Sequence, residues 1–281
     1  MNTLNPEHYM DLVKRALAED IGGGDISTQC LNLGDRRARA VLKAKDNGIL
    51  AGRDVAAACF RELDPDASIE FKIEDGARLR DGDVIMEIKG RADALLSAER
   101  TALNFLQRLS GIAKYTFLMT QQVYGLKSKI YDTRKTTPGM RMLEKYAVLM
   151  GGGTNHRIGL FDQVLLKDNH ILLAGGVANA VNAARKSLGK DAFVEVEVET
   201  MDQVREALDA GANRIMLDNM SFLEIEEAVK HIDGRAEVEV SGGVTLLTVG
   251  TIADMNVDVI SVGAITHSAD ALDISMDFQP E

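Results

Sequence analysis

The sequence predicts an α/β protein in which an antiparallel α+β region precedes a parallel β/α barrel. Three observations predict it. From Ala38 to Gly90, apolar and polar residues alternate with the two-residue period of half-buried strands, as in Ala40-Val41-Leu42-Lys43-Ala44-Lys45 and Val84-Ile85-Met86-Glu87-Ile88-Lys89. After Gly125, short β runs alternate with amphipathic helices, the rhythm of a parallel sheet under helical cover. Within that second part, Val194-Glu195-Val196-Glu197-Val198-Glu199 puts valines on one face and carboxylates on the other, and Glu237-Val238-Glu239-Val240-Ser241 repeats the arrangement. An open sheet with helices on both sides would bury those glutamates against apolar helix surface. In a barrel the valines meet the helices and the glutamates point into the lumen, where Lys135 and Lys167 can neutralise them. An exposed antiparallel edge hairpin is the competing reading, which the neighbouring helices disfavour.

The elements follow in order. Asn5-Pro6 opens a short amphipathic helix through Asp20, with Tyr9, Leu12, Val13 and Leu17 at helical spacing. Ile21-Gly22-Gly23-Gly24-Asp25 ends it; on glycine content this could be a phosphate loop, but no strand precedes it and a connecting loop is the better reading. The strands of the alternating region carry turns at Asp46-Asn47-Gly48 and Asp81-Gly82-Asp83, and Val55 to Leu63 has the spacing of a helix lying across them. Residues 93 to 124 read as helix, interrupted at Ser110-Gly111, where the domain boundary is expected. The first domain is thus 1–111 and the second 112–267. In the second, β runs are expected at 129–132, 164–167, 193–199, 214–218, 236–240 and 259–262, with helices at 140–150, 177–188, 202–210, 222–231 and 245–255.

At 281 residues the chain can bury one large α/β core or two separate ones. Its formal net charge of -11 argues against a general nucleic-acid binder, which needs a broad basic surface. Cys30 and Cys59 are the only cysteines and lack metal or redox spacing, which fits a reducing cytoplasm. No stretch approaches the roughly 20 apolar residues of a membrane span.

Functional residues of such a barrel gather at the C-terminal ends of its strands. Those ends are Asp132 to Lys135, Lys167 to His170, Glu197 and Glu199, Asp218-Asn219, Ser241-Gly242-Gly243 and Gly263-Ala264. Small-residue turns after the last two strands, each leading towards a helix, suit a phosphate monoester. Arg134, Lys135, His156, Arg157, Lys167 and His170 concentrate positive charge in an acidic chain, and arginines can grip carboxylates or phosphates through two bonds at once. Glu197 and Asp218 could hold Mg²⁺, a hard ion that prefers carboxylate, water and phosphate oxygens. No nucleophile–base arrangement stands out, so electrostatic stabilisation is the expected mode of catalysis. An arginine such as Arg100, on a helix, reads by itself as a solvated charge.

Six motifs then carry a resemblance: Asp132-Thr133-Arg134-Lys135-Thr136 with Pro138-Gly139, Gly151-Gly152-Gly153-Thr154-Asn155-His156-Arg157-Ile158-Gly159-Leu160, Leu166-Lys167-Asp168-Asn169-His170, Glu195 to Glu199, Met216-Leu217-Asp218-Asn219 and Ser261-Val262-Gly263-Ala264. Together they resemble the quinolinate phosphoribosyltransferase family, also called carboxylating nicotinate-nucleotide pyrophosphorylases. Leu17 to Asp25, Gly48-Ile49-Leu50-Ala51-Gly52 and Glu99-Arg100-Thr101-Ala102-Leu103-Asn104 look like that family's N-terminal domain, so the likeness covers nearly the whole chain.

The resemblance implies an α+β open-sandwich domain, rejoined by 268–281, and an incomplete, TIM-like barrel of about six to seven strands. It implies that quinolinate and phosphoribosyl pyrophosphate give nicotinate mononucleotide, pyrophosphate and CO₂ with Mg²⁺, on the route to NAD. Arg134, His156, Arg157 and Lys167 would bind the quinolinate carboxylates and Lys135 would lie between the two substrates. Glu197 and Asp218 would contact ribose and Mg²⁺, and Ser241, Gly242, Gly243 and Gly263 would hold the 5′-phosphate. Arg100 would reach the site from the other subunit of a homodimer, with higher oligomers open. A paralogue with another substrate, such as one associated with molybdenum transport, and a non-catalytic sensor of phosphorylated metabolites are the alternatives; the full cation set argues against the first, and the acidic pair against the second.

Overall fold

In a computed structural model that describes residues 4–279, the chain falls into two compact units. One takes the residues up to Phe117, Thr136–Gly152 and those from Ile265 onward; the other takes Leu118–Lys135 and Gly153–Ala264.

The first unit begins with a single 3-10 turn, Pro6–His8, capped by Asn5, and helix α1 (Met10–Ile21), which buries Val13 and Leu17. Gly22 to Gly24 join it to α2 (Ile26–Cys30), capped by Asp25; the glycine loop therefore connects two helices. Strands β1 (Arg37–Ala44), β2 (Gly48–Ile49), β3 (Ser68–Phe71), β4 (Arg78–Leu79) and β5 (Val84–Arg91) follow, with helix α3 (Arg53–Leu63) between β2 and β3. The C-terminal strand β12 (Ile274–Gln279) joins three of them in an antiparallel sheet ordered β12-β1-β5-β3, while β2 and β4 make a separate pair. The alternation gives that sheet its buried face: Ala40 lies opposite Ile88 and Leu42 opposite Met86, all fully buried.

The helical stretch expected to break at Ser110-Gly111 is instead one uninterrupted helix, α4 (Ala92–Gln122). The two small residues serve contact, not a turn. A Cβ on Gly111 would lie 2.0 Å from Asp270 O, and Ser110 Oγ accepts from Ala51 N at 3.1 Å and donates to Ala51 O at 3.3 Å. Glycine here permits close backbone approach within a helix, at a propensity cost of about 1 kcal/mol that packing overrides. Helix α5 (Arg141–Met150) completes this unit, with Leu143 to Val148 buried, together with most of the one-turn helix α11 (Ala264–His267).

The second unit is a six-stranded sheet of β6 (Lys129–Tyr131), β7 (Val164–Leu166), β8 (Val194–Val198), β9 (Arg214–Asp218), β10 (Glu237–Ser241) and β11 (Val259–Ser261), ordered β6-β11-β10-β9-β8-β7 and parallel throughout. From β7 to β11 every strand lies beside its successor, and the first strand lies beside the last. A doubly wound sheet reverses direction partway; this order is that of a barrel cut between β6 and β7. At the cut, Thr154 makes an isolated parallel bridge to Tyr131, its N–H donating to Ile130 O at 2.8 Å. The barrel is thus incomplete, as the resemblance implied. Helices α6 (Asp168–Ala174), α7 (Val177–Leu188), α8 (Met201–Asp209), α9 (Phe222–Ile232) and α10 (Val249–Asp254) lie between the strands. Thr200 with Gln203 and Ser221 with Glu224 form capping boxes that start α8 and α9. Val194, Val196 and Val198 are buried, as the two-faced strand required.

Candidate active site

The expected residues of the second unit converge on one end of the sheet. Arg134 and Lys135 follow β6, Lys167 follows β7, Glu197 is the fourth residue of β8, Asp218 ends β9 and Ser241 ends β10. Asp218 and Ser241 are register partners, and Glu197 pairs with Met216, two residues before Asp218 on the adjoining strand. Lys167 Nζ forms an ion pair with the Glu197 carboxylate. The Lys167 N–H donates to His170 Nδ1 at 3.0 Å as α6 begins, so His170 orients the backbone of Lys167.

Arg134 lies near enough to Arg157 for its charge to be felt there. Burial, and then the positive charge of Arg134, hold the Arg157 guanidinium below its usual value. Two guanidiniums so placed gain from a bound anion with two acidic groups. The turn after β10 has Gly242 at φ +90 and Gly243 at φ +61, both left-handed, and a Cβ on Gly242 would lie 2.2 Å from Asn219 Oδ1. Helices α10 and α11 have only 6 and 4 residues, so backbone N–H groups of the turns, more than a macrodipole, are what this end offers an anion.

One layer below lies a buried polar cluster. Glu195 and Glu239 are fully buried; His156 Nε2 sits 3.2 Å from Glu195 Oε1 and 3.5 Å from Glu239 Oε1. Arg214 Nη1 is 3.2 Å from Glu239 and 3.7 Å from Glu195, its Nη2 is 2.7 Å from Glu237, and its guanidinium lies over the Tyr131 ring at 5.5 Å. Gln163 donates to Glu195 at 2.6 Å and Ser261 Oγ donates to Glu239. Burial, reinforced by Glu239, raises Glu195 against the opposing pull of His156 and Arg214. Burial alone would lower the His156 imidazole, but Glu195 and Glu239 together push it up to about 9. The Arg157 N–H points at His156 Nδ1, 2.8 Å away, and competes for the lone pair that the second proton takes. Two carboxylates and one guanidinium leave an excess negative charge in the cluster, and that balance favours the proton. His156, Glu195 and Glu239 place potential metal ligands within 4.8 Å of one another, yet Arg214 and the imidazole already neutralise them.

Asp132, also fully buried, holds the segment that carries these cations. It accepts from His156 N at 2.8 Å and from Asn155 Nδ2 at 2.6 Å. Arg100 stands exposed on α4 in the first unit. Sequence reasoning singled out neither Arg214 nor the pairing of Glu195 and Glu239 with His156. The signal was present: Arg214, Met216 and Asp218 alternate on β9 as the glutamates do on β8, so an arginine was due beside Glu195.

The chain is similar over nearly its whole length to known proteins. Family models described as quinolinate phosphoribosyl transferase, N-terminal and C-terminal domains, match residues 25–110 and 112–277. A Bacillus subtilis protein named a probable carboxylating nicotinate-nucleotide pyrophosphorylase is 44% identical over 274 residues, covering 98% of this chain and 94% of that one. A chloroplastic enzyme of the same name from Arabidopsis thaliana is 42% identical over 291 residues, covering 96% and 82%. The solved structure of the nicotinate-nucleotide pyrophosphorylase from Francisella tularensis superposes with a TM-score of 0.94 at 42% identity, covering 99% of this chain and 98% of that one.

Proposed function

We propose that this chain, which belongs to the quinolinate phosphoribosyltransferase family, catalyses the reaction that names the family. Quinolinate and phosphoribosyl pyrophosphate give nicotinate mononucleotide, pyrophosphate and CO₂, in de novo NAD biosynthesis. Beyond membership, the observation that carries this reading is the gathering of Arg134, Lys135 and Lys167 at the strand ends that also carry Glu197, Asp218 and the left-handed Gly242-Gly243 turn, a site suited to anionic substrates.

Quinolinate brings two carboxylates, and Arg134, Arg157 and Lys167 are assigned to them, with His156 beneath. Holding both carboxylates also aligns the ring nitrogen with the ribose. The nitrogen attacks C1, the C1–O bond to pyrophosphate breaks, and the ring becomes cationic. That ring then accepts the electron pair of the C–C bond to the neighbouring carboxylate, which leaves as CO₂, and the carbon takes a proton from solvent. Lys135 lies between the substrates. Glu197 and Asp218 oppose positive charge developing on the ribose. Ser241, Gly242, Gly243 and Gly263 take the 5′-phosphate, a role supported by the left-handed turn at Gly242 and Gly243.

Glu197 and Asp218, oxygen donors on adjoining strands, fit Mg²⁺, which when bound neutralises pyrophosphate charge. The working unit in this reading is a homodimer in which the exposed Arg100 completes the other subunit's site. A cytoplasmic location belongs to the same proposal and is supported by two free cysteines.

Purified protein supplied with quinolinate, phosphoribosyl pyrophosphate and Mg²⁺ is expected to release nicotinate mononucleotide and CO₂. Turnover with nicotinate but none with quinolinate would sink the assignment. Mixing inactive Arg100→Ala and Lys135→Ala proteins is expected to restore part of the activity through hybrid dimers. Failure to complement, with subunit exchange demonstrated, removes the shared site.

A further inference from the structure

Two residues outside the assigned set, Arg108 and Glu144, join the chain segments that leave the site. Glu144, on α5, is fully buried, and both of its oxygens are used. Oε1 accepts from Thr137 Oγ1 at 2.8 Å and from Arg108 Nη2 at 3.1 Å, and Oε2 accepts from Thr137 N at 3.1 Å. Arg108, on α4, donates in addition to the carbonyls of Thr266 and, at 2.9 Å, Ala269. One ion pair therefore grips Thr137, two residues beyond Lys135, and Thr266, three residues beyond Gly263.

The gripped loop has little freedom of its own. Met140 N donates to Thr137 O at 3.0 Å, with Pro138 first and Gly139 at φ +82 second in the turn, the arrangement of a type II turn. Arg141 Nε donates to Thr136 Oγ1 at 3.1 Å. At the other end of the pair, Thr266 is fully buried.

We infer that Arg108 and Glu144 are positioning residues for the transfer, holding the loop after Lys135 in fixed register with the helix after Gly263. This rests on the roles proposed above for Lys135 and Gly263. If core packing alone were needed, apolar residues of similar volume would serve as well as a buried ion pair, whose desolvation offsets much of its attraction. What apolar residues cannot supply is a directional link among Thr137 N–H, Thr137 Oγ1 and two carbonyls. The link matters because the two substrates are held by different segments. Each substrate's affinity depends on its own segment, whereas the approach of ring nitrogen to C1 depends on their register, and a misplacement of about 1 Å costs on the order of 100-fold in rate.

The test is steady-state kinetics on Glu144→Gln and Thr137→Val in the full-length protein, with thermal melting alongside. Glu144→Gln keeps the shape and removes the charge; Thr137→Val removes one donor and leaves the N–H. Neither residue is assigned to a ligand. Glu144→Gln is expected to lower kcat by about 10- to 100-fold with the KM for each substrate within about threefold of the parent. Thr137→Val is expected to change kcat in the same direction by less, and Arg108→Lys to retain more activity than Arg108→Met. An unchanged kcat in folded Glu144→Gln overturns the inference, as does a rise in either KM large enough to explain the loss. If Glu144→Gln does not fold, Thr137→Val decides by the same criteria. Absence of turnover in the parent protein would instead refute the proposed reaction, so the two failures are distinguishable.

Discussion

Glu195 and Glu197 sit two residues apart on the same face of β8, yet they belong to different chemistries. Glu195, in the lower layer, meets charges supplied by the protein itself: His156 at 3.2 Å and Arg214 at 3.7 Å, with Glu239 alongside. Glu197, in the upper layer, is paired with the partly exposed Lys167 at the end where Arg134, Arg157 and the Gly242-Gly243 turn gather. The lower layer closes its own electrostatic account, while the upper layer keeps positive charges close together. A barrel lumen can thus carry acidic strands throughout and still present an anion site, provided the deeper carboxylates have dedicated counterions.

The largest expected effect breaks the lower layer. Arg214→Met leaves Glu195 and Glu239 facing each other, and urea unfolding is expected to show a loss of about 3–5 kcal/mol. A loss below about 1 kcal/mol would mean that Arg214 is not the counterion that balances Glu195 and Glu239. Next comes pH. The folded-state pKa of His156 is raised to about 9, so its contribution is fully present below the unfolded value of about 6.5 and is lost as pH rises towards 9. Stability of the parent is therefore expected to fall across that window by a few kcal/mol at most, and the fall to be absent in His156→Gln. A parent curve that is flat there would show that the Arg157 amide, not the carboxylates, governs the imidazole. The smallest change in stability belongs to the upper layer: Arg157→Ala is expected to cost about 1 kcal/mol, the lost hydrogen bond to Gln163 O being offset in part by relief of repulsion from Arg134. The same substitution should raise the KM for quinolinate by about 100-fold, the cost of losing a charge-assisted contact of two to three kcal/mol. A rise confined to the KM for phosphoribosyl pyrophosphate would reassign the residue.

Period and punctuation made much of this legible. Valines alternating with glutamates on β8 determined both the lumen-facing set and the choice of barrel, since only a barrel gives those carboxylates a polar interior. Asn5 and Pro6 marked the start of helical structure because the Asn5 side chain accepts from the Glu7 N–H and proline is preset for a first turn. What escaped depended on distant contacts. Gly111 read as a break because its reason, the backbone of Asp270, lies far along the chain. Arg214 read as one charge among many because its partners Glu195, Glu237 and Glu239 lie on the two adjoining strands. The short helices α6, of seven residues, and α11, of four, are too brief for a periodic signal.

Strand order carries a consequence for biosynthesis. In the antiparallel sheet Leu42 pairs with Met276, and in the parallel sheet Ile130 pairs with Ile260. Each sheet thus waits for residues made more than a hundred positions after its first strand, and until then β1 and β6 each lack a neighbour that shields an edge. Such non-local pairing slows folding and leaves nascent chains open to edge-to-edge association. Chains that stall before Val259 are therefore the form most in need of a chaperone, even though every residue up to Ser241 has already been made.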